Sequence, residues 1–284
     1  MARRRIGATL LLAPAGLWLL AMLVLPLVVV LVFSFGERGP AGGYAPAFTL
    51  ANFLNLGSRG AAFRNTLVLA PLGTLACLLI AYPLAYVLAM RVGERWRTVL
   101  LVLVIVPFWT SILIRTYAWI FLLGGQGIPK LLGWLGLGQP MLINTPFSVL
   151  VGIVYGYLPL MVFPIYVSLE RLDKRLLEAA DDLGAPPWRS FWQITLPLSL
   201  PGVATGCLLV FILLMGEFLI PAMLGGGKVF FVGNALVDLF LQSRNWAFGS
   251  AVAMALVVVM LVTVTVYMRL MRRWGGGRDD VALM

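Results

Sequence analysis

The sequence predicts an all-α membrane protein with six transmembrane helices in a single domain, residues 1–284. Of its residues 61% are hydrophobic and only 11% are charged, and the mean hydropathy is +0.99. Soluble domains usually have about 25% charged residues, so this composition excludes an ordinary soluble protein. Six apolar runs are each long enough for the roughly 20 residues that cross a bilayer. The predicted spans cover residues 6–35, 65–90, 98–123, 146–169, 198–224 and 248–271.

Each of the first three predicted spans has a distinctive sequence feature. The apolar run of the first exceeds the roughly 7–15 residues of a signal-peptide core, so we expect it to remain as a span. Residues 36–59, rich in Gly, Pro and Ala, predict an outer loop. The second span contains Pro71 and Pro83, which predict kinks. The third contains a polar and aromatic run from Pro107 to Trp119.

The segments that connect or follow the last four spans are predicted to be two outer loops, a highly charged loop and a short tail. Residues 124–145 are glycine-rich and predict an outer loop with a short re-entrant or interfacial helix around Pro129 to Gly136. Residues 225–247 predict the other outer loop. The charged loop covers residues 170–197, and the charged tail covers residues 272–284.

The distribution of basic residues predicts the orientation of the chain. The net charge is +10, with 21 Lys and Arg residues against 11 Asp and Glu. Fourteen of the 21 fall in segments on the N-terminal side of the membrane, six fall on the other side, and Arg115 lies within a span. Because basic residues favour cytoplasmic loops, both termini and the loop 170–197 are predicted in the cytoplasm. The same distribution leaves no single basic face for nucleic acid, which excludes that partner.

No catalytic or metal-binding pattern stands out in the sequence. There is no histidine, and Cys77 and Cys207 lie in apolar runs, where we expect them to pack as small side chains. The segment Gly225 to Lys228 lacks the spacing and the following Ser or Thr of a phosphate-binding loop. We therefore expect this chain to have no enzymatic activity and to bind no cofactor.

The charged loop between the fourth and fifth spans predicts two short helices joined by a sharp bend. Apolar residues from Leu172 to Leu183 recur at spacings of three to five among charged residues, which is typical of an amphipathic helix that packs into a protein groove. Gly184 predicts the end of this helix. Since Pro187 suits only the first positions of a helix, a second short helix is predicted over Trp188 to Ile194.

This loop carries a recognisable motif: Glu178-Ala179-Ala180, three residues, Gly184, nine residues, then Ile194-x-Leu-Pro. It resembles the cytoplasmic Glu-Ala-Ala loop of permease subunits of binding-protein-dependent ABC importers. The resemblance implies the type I importer permease architecture in a bacterial inner membrane. It also implies a coupling helix that docks on an ATP-binding subunit, which itself holds the ATP and magnesium. The residues implied in this coupling are Glu178, Ala179, Ala180, Asp182, Leu183, Gly184 and Pro187.

Two ionisable residues, Arg115 and Glu217, lie within predicted spans. An unpaired charge there is costly, so both are candidates for function. If each span is one unbroken helix, the two residues lie at a similar depth near the outer end. Two interpretations stay open: they form an ion pair with each other, or Glu217 attracts a cationic substrate at the mouth of a pathway.

Aromatic residues cluster on the third and fourth spans. They either line the pathway, where each holds an ammonium group by roughly 0.5–2 kcal/mol, or mark the membrane interface. Trp119, near the outer boundary, fits the second role better. The candidates for the pathway, besides Arg115 and Glu217, are Trp109, Tyr117, Tyr155 and Tyr157.

Further motifs resemble the first permease subunit of spermidine and putrescine importers. These motifs are Pro107 to Trp119, Val154 to Met161, Ser168 to Asp173 and Gly216 to Phe218. The resemblance covers residues 10 to 272, and Pro186 departs from it, where such permeases often have Ser. It implies a polyamine substrate, a second permease subunit, two ATP-binding subunits and an outer solute-binding protein. Alternatives are an importer of another small organic cation or amine, an ion-driven secondary transporter, and a structural scaffold without solute flux.

Overall fold

A computed structural model describes the backbone of residues 2–275 and the side chains of residues 13–271. The predicted charged tail lies largely outside these described residues. Within them the chain is almost entirely helical, which confirms the all-α prediction. The helices are α1 (Ala2–Ser34), α2 (Ala51–Leu54), α3 (Gly60–Tyr86), α4 (Glu94–Trp109), α5 (Ile112–Leu123), α6 (Ile128–Trp134), α7 (Pro146–Glu170), α8 (Arg175–Asp182), α9 (Pro187–Ser190), α10 (Leu196–Met215), α11 (Leu219–Leu224), α12 (Val232–Val237) and α13 (Trp246–Gly275).

The structure agrees with the predicted six membrane spans when one bent helix pair is counted as a span. In the described part of the chain, five helical runs are long and apolar enough to cross a membrane, and one bent helix pair makes a sixth. The five runs are Ala13–Ser34, Ala51–Arg91, Pro146–Glu170, Pro187–Met215 and Trp246–Met271. The predicted short helix around Pro129 to Gly136 is present as α6.

The third and fifth spans are not unbroken helices, contrary to the prediction. α4 and the helical segment after it meet at 90°, with the break at Thr110 and Ser111. The Thr110 hydroxyl donates to the carbonyl of Pro107 at 2.7 Å, which offers that carbonyl an alternative to helical bonding. In the fifth span, α10 ends at Met215 and α11 begins at Leu219. Arg115 therefore follows the first break and Glu217 lies within the second, so a depth counted along a straight helix does not apply.

The second helix of the charged loop is also different from the prediction. It is not a separate helix over Trp188 to Ile194, because helical structure runs without interruption from Pro187 to Met215. A π-helical turn, Phe191–Thr195, joins α9 to α10. Pro197 has no N–H for an α-helical bond, and a wider turn just before it accommodates this loss.

The chain forms two compact units. The first contains residues up to Gly60 together with 235–259, and the second contains residues 61–234 together with those from Met260. In the first unit the strands β1 (Glu37–Arg38) and β2 (Tyr44–Ala45) pair antiparallel.

An ion pair and a long-range hydrogen bond also hold the first unit together. Arg59 contacts Asp238 at 2.8 Å, and Arg38 donates to the carbonyl of Ser243 at 2.8 Å.

Glycine pairs bring the helices of the second unit close together. Gly202 and Gly206 are four residues apart on the face of α10 that packs on α7. A Cβ on Gly202 would lie 2.4 Å from the carbonyl oxygen of Pro164, and one on Gly206 would lie 2.8 Å from the Met161 sulfur. On α7, a Cβ on Gly152 would lie 2.5 Å from Leu224 of α11. Small residues at this spacing let membrane helices approach closely.

We predict that Gly202→Ala destabilises the protein by about 1–3 kcal/mol, because the added methyl group meets backbone that cannot move aside. The measurement is thermal unfolding of the purified protein in detergent, with its level in the membrane. Gly16→Ala in α1 is the control, because nothing lies within 4 Å of its Cβ position. Equal unfolding temperatures for the two variants would contradict the close α7–α10 contact.

Candidate functional site

The loop between α7 and α10 forms an elbow, defined here as α8, the bend after it and α9. The bend is a Schellman motif: Gly184 donates to the carbonyl of Asp181 at 2.9 Å, and Ala185 donates to that of Ala180 at 2.9 Å. Gly184 has φ of +75°, a left-handed conformation that favours glycine. The predicted helix end at this residue is therefore confirmed.

The elbow presents an open surface with both apolar and charged side chains. Leu183 is 88% exposed and Trp188 is 68% exposed. Glu178, Ala179 and Asp182 are also exposed. Leu172, by contrast, is buried, so the apolar stripe predicted from Leu172 to Leu183 divides into a buried start and an exposed end. Exposed large apolar side chains next to carboxylates are typical of a surface that docks on another protein.

The end of α7, just before the elbow, is tied to the start of α4. Glu170 accepts a hydrogen bond from the Tyr166 hydroxyl at 2.6 Å and contacts Arg97 at 3.4 Å. Arg97 also reaches the carbonyl groups of Ala89 and Val92 at 3.4 and 3.5 Å. The end of α7 therefore connects directly to the turn between α3 and α4. Sequence reasoning missed this cluster, because none of its side chains is unusual at the end of a membrane helix.

A groove of about 660 Å³ lies where α7, α8 and α10 meet. Its lining includes Pro164, Leu172, Asp173, Leu176 and Pro201. Since α8 forms part of its wall, a movement of the elbow changes the shape of the groove.

The Glu217 side chain caps α11. Its Oε1 accepts hydrogen bonds from the backbone N–H groups of Phe218, Leu219 and Ile220 at 2.9, 2.8 and 3.2 Å. The Tyr157 hydroxyl donates to its Oε2. Glu217 is only 8% exposed, and its carboxylate accepts four hydrogen bonds, three at Oε1 and one at Oε2. The carboxylate thus holds α11 and the Tyr157 side chain of α7 together.

Arg115 does not pair with Glu217. Among the described residues the ion pairs are Arg59–Asp238 and Arg97–Glu170, so the first of the two interpretations left open by the sequence, an Arg115–Glu217 pair, does not hold. The guanidinium of Arg115 instead lies over two aromatic rings, with its central carbon 5.9 Å from the ring centroids of both Phe108 and Tyr155.

The remaining aromatic candidates lie in different surroundings. Trp109 is 79% exposed at the end of α4, and Tyr117 is 63% exposed on α5. Tyr155 makes an edge contact with Trp119, with ring centroids 5.6 Å apart. The structure therefore joins Tyr155 to Arg115 and Tyr157 to Glu217, but it leaves Trp109 and Tyr117 on open surfaces. Trp119, which is predicted at the membrane interface, contacts the ring of Tyr155.

Comparison with known families and proteins gives concordant results. A family model described as "Binding-protein-dependent transport system inner membrane component" matches residues 81–274. The chain is 42% identical over 257 residues to the spermidine/putrescine transport system permease protein PotB of Haemophilus influenzae, with 89% of this chain and 90% of that protein covered. PotB of Escherichia coli K12 is 41% identical, with 90% and 94% covered. The inner membrane ABC transporter permease protein YdcU of the same organism is 31% identical, with 81% and 77% covered.

Solved structures show the same fold at low sequence identity. A chain of the bacterial alginate ABC transporter, in complex with an alginate pentasaccharide-bound periplasmic protein, superposes with a TM-score of 0.78 at 19% identity and 96% coverage of both chains. A chain of the MetNI methionine ABC transporter in an inward-facing conformation gives 0.58 at 21% identity, with 78% and 97% covered. The predicted importer permease architecture is thus confirmed. By family model, relatives and fold, this chain belongs to the inner membrane components of binding-protein-dependent transport systems.

Proposed function

We propose that this chain is the permease subunit of an ATP-driven importer and forms half of the translocation pathway for a polyamine. The identity of 41–42% to permeases named for spermidine and putrescine, over about nine-tenths of each chain, carries this proposal. An importer of another small organic cation or amine is the second candidate, because it would use the same aromatic side chains.

The proposed assembly contains this chain, a second permease subunit, two ATP-binding subunits and an outer solute-binding protein. It lies in the bacterial inner membrane with both termini in the cytoplasm, as the excess of basic residues on that side favours. ATP and magnesium bind to the ATP-binding subunits, and this chain holds no cofactor. The exposed elbow, with Leu183 and Trp188 at its surface, is the surface proposed to dock on an ATP-binding subunit.

The proposed mechanism uses the elbow as a lever. α9 is continuous with α10, so displacement of the elbow moves the fifth span directly. α10 packs on α7 through Gly202 and Gly206, and α7 packs on α11 through Gly152. Movement therefore passes from the elbow to α11 through contacts too close to deform freely. Closure of the ATP-binding subunits would in this way change the side of the membrane to which the pathway opens.

The proposed pathway lies along the third and fourth spans, next to the two breaks. Trp109, Tyr117 and Tyr155 offer exposed rings to an ammonium group, and Arg115 sets the local charge. Tyr157 and Glu217 serve the pathway by fixing α11, since their polar atoms bond to each other and to the backbone.

The direct test is uptake of radiolabelled spermidine and putrescine into proteoliposomes that contain the purified complex. ATP is supplied inside the vesicles and the outer solute-binding protein is supplied outside. We expect uptake that requires both ATP and the binding protein. ATP hydrolysis that the binding protein stimulates, without polyamine uptake, would support an ATP-driven importer but contradict a polyamine substrate. Uptake driven by an ion gradient without ATP would reject the importer.

We predict that Gly184→Val uncouples the complex, whereas Gly184→Asn retains most of its activity. A β-branched residue at φ of +75° is strained by about 1–3 kcal/mol, and Asn tolerates this conformation. Because nothing lies within 4 Å of the Cβ position, the effect comes from the backbone rather than a clash. The measurements are uptake and ATP hydrolysis at matched levels of complex in the membrane. Full uptake with Gly184→Val would show that coupling does not need the bend.

We predict that Glu217→Ala lowers the unfolding temperature and abolishes uptake, because three N–H groups of α11 lose their acceptor inside the membrane. Loss of a helix cap costs about 0.5–2 kcal/mol even in water. Glu217→Gln keeps one carbonyl oxygen at the same place, so we expect it to retain stability and most uptake. If Glu217→Gln is stable but inactive, the negative charge itself acts on the substrate.

A further inference from the structure

Arg115 lies in an aromatic site, which we call the Arg115 cage and define as Phe108, Tyr155 and Trp119. The guanidinium carbon is 5.9 Å from the ring centroids of Phe108 and Tyr155, within the range of cation–π attraction. Trp119 supports the Tyr155 ring from its edge at 5.6 Å. The cage therefore already holds one organic cation, which is a side chain of the protein itself.

The position of Arg115 is otherwise unfavourable for a positive charge. Its Nε and Nη1 atoms are buried and have no hydrogen-bond partner among the described residues. Its backbone N–H bonds to the carbonyl of Ser111, which places it at the start of α5, where the helix dipole disfavours cations. Buried donors without acceptors destabilise a conformation. The two rings are thus the contacts that hold the charge here, and the side chain gains hydrogen bonds if it leaves.

The contact also crosses the 90° bend of the third span. Phe108 precedes the break, Arg115 follows it, and Tyr155 comes from α7. A change in the 90° angle between the two helical segments changes the distance from Phe108 to Arg115. Phe108 and Tyr155 are 40% and 38% exposed, so a ligand can reach both rings. Occupancy of the cage by Arg115 is therefore coupled to the conformation of the third span.

We propose that Phe108 and Tyr155 form a binding site for an alkylammonium group of the substrate, and that Arg115 fills this site as an internal competitor in the bent conformation. When the third span changes its bend, the guanidinium leaves and a substrate ammonium takes its place. This inference rests on the proposed function, because it assumes a cationic substrate. It adds the site and the competition to that function.

The test is equilibrium binding of radiolabelled spermidine to the complete complex in lipid nanodiscs without the solute-binding protein, with and without ATP and vanadate. Tyr155→Leu should weaken binding about two- to thirtyfold, and Tyr155→Phe, which keeps the ring, should change it less than twofold. Arg115→Ala should tighten binding, because the competitor is removed, and Arg115→Lys should resemble the wild type. Phe121→Leu on α5, 70% exposed, is the control for loss of a ring outside the cage.

The possible outcomes separate this inference from the proposed function. ATP hydrolysis and spermidine uptake are measured for every complex to verify assembly. If Arg115→Ala fails to assemble, Arg115→Gln removes the charge and keeps the length of the side chain. Three results would contradict the proposed binding site without contradicting the importer. They are wild-type uptake with unchanged binding in Tyr155→Leu, weaker binding in Arg115→Ala, and no binding to the wild-type complex. A complex that hydrolyses ATP but neither binds nor transports spermidine would reject the polyamine itself.

Discussion

The close approach of α7 and α10 is the contact on which the second unit depends. Inside a membrane, burial of apolar surface gives no net drive for helices to associate, so attraction must come from direct contact. Gly202 and Gly206 allow that contact by letting backbone atoms meet. α7 then offers a second pair of small residues, Gly152 and Gly156, to α11. α7 thus packs on α10 with one face and on α11 with another.

The breaks in the third and fifth spans require that polar backbone groups be satisfied within the protein, because lipid offers them no partner. At both ends of α11, polar groups from outside the helix bond to the backbone. Glu217 takes the N–H groups at its start, and Asn234 donates to the carbonyl of Phe218 at 2.6 Å. At its end, the Ser148 hydroxyl and the Asn144 N–H both reach the carbonyl of Leu224, at 2.8 and 3.0 Å. Glu217 is therefore explained by the broken helix before any substrate is considered.

The sequence was informative where local chemistry decides the structure. Hydropathy predicted six spans because each must cover the same apolar thickness, and Gly184 predicted the end of α8 because its left-handed conformation favours glycine. The breaks after Trp109 and Met215 were missed, since Thr, Ser and Gly within an apolar run are compatible with a helix. Their polar partners lie on other helices and are far away in the sequence.

The same limit applied to the charged residues. Counting positions along straight helices placed Arg115 and Glu217 at one depth and allowed an ion pair. The count ignored the bend before Arg115 and the break in which Glu217 lies. The two glycine pairs also lie four residues apart within apolar runs, but this spacing does not say which helices they bring together. Long-range partners such as Tyr157 for Glu217 needed the fold.

The two ionisable residues of the broken spans differ in how firmly they are held. Four donors bind the Glu217 carboxylate, so its departure would leave the N–H groups at the start of α11 without their acceptor. Among the described residues Arg115 has no such bonds at Nε and Nη1, and the contacts that hold its charge are those with two rings. In a conformational change, the negative charge is therefore fixed and the positive charge is mobile. For a cationic substrate this difference is useful, because the movable arginine can clear the rings while the anion and the helix that it caps stay in place.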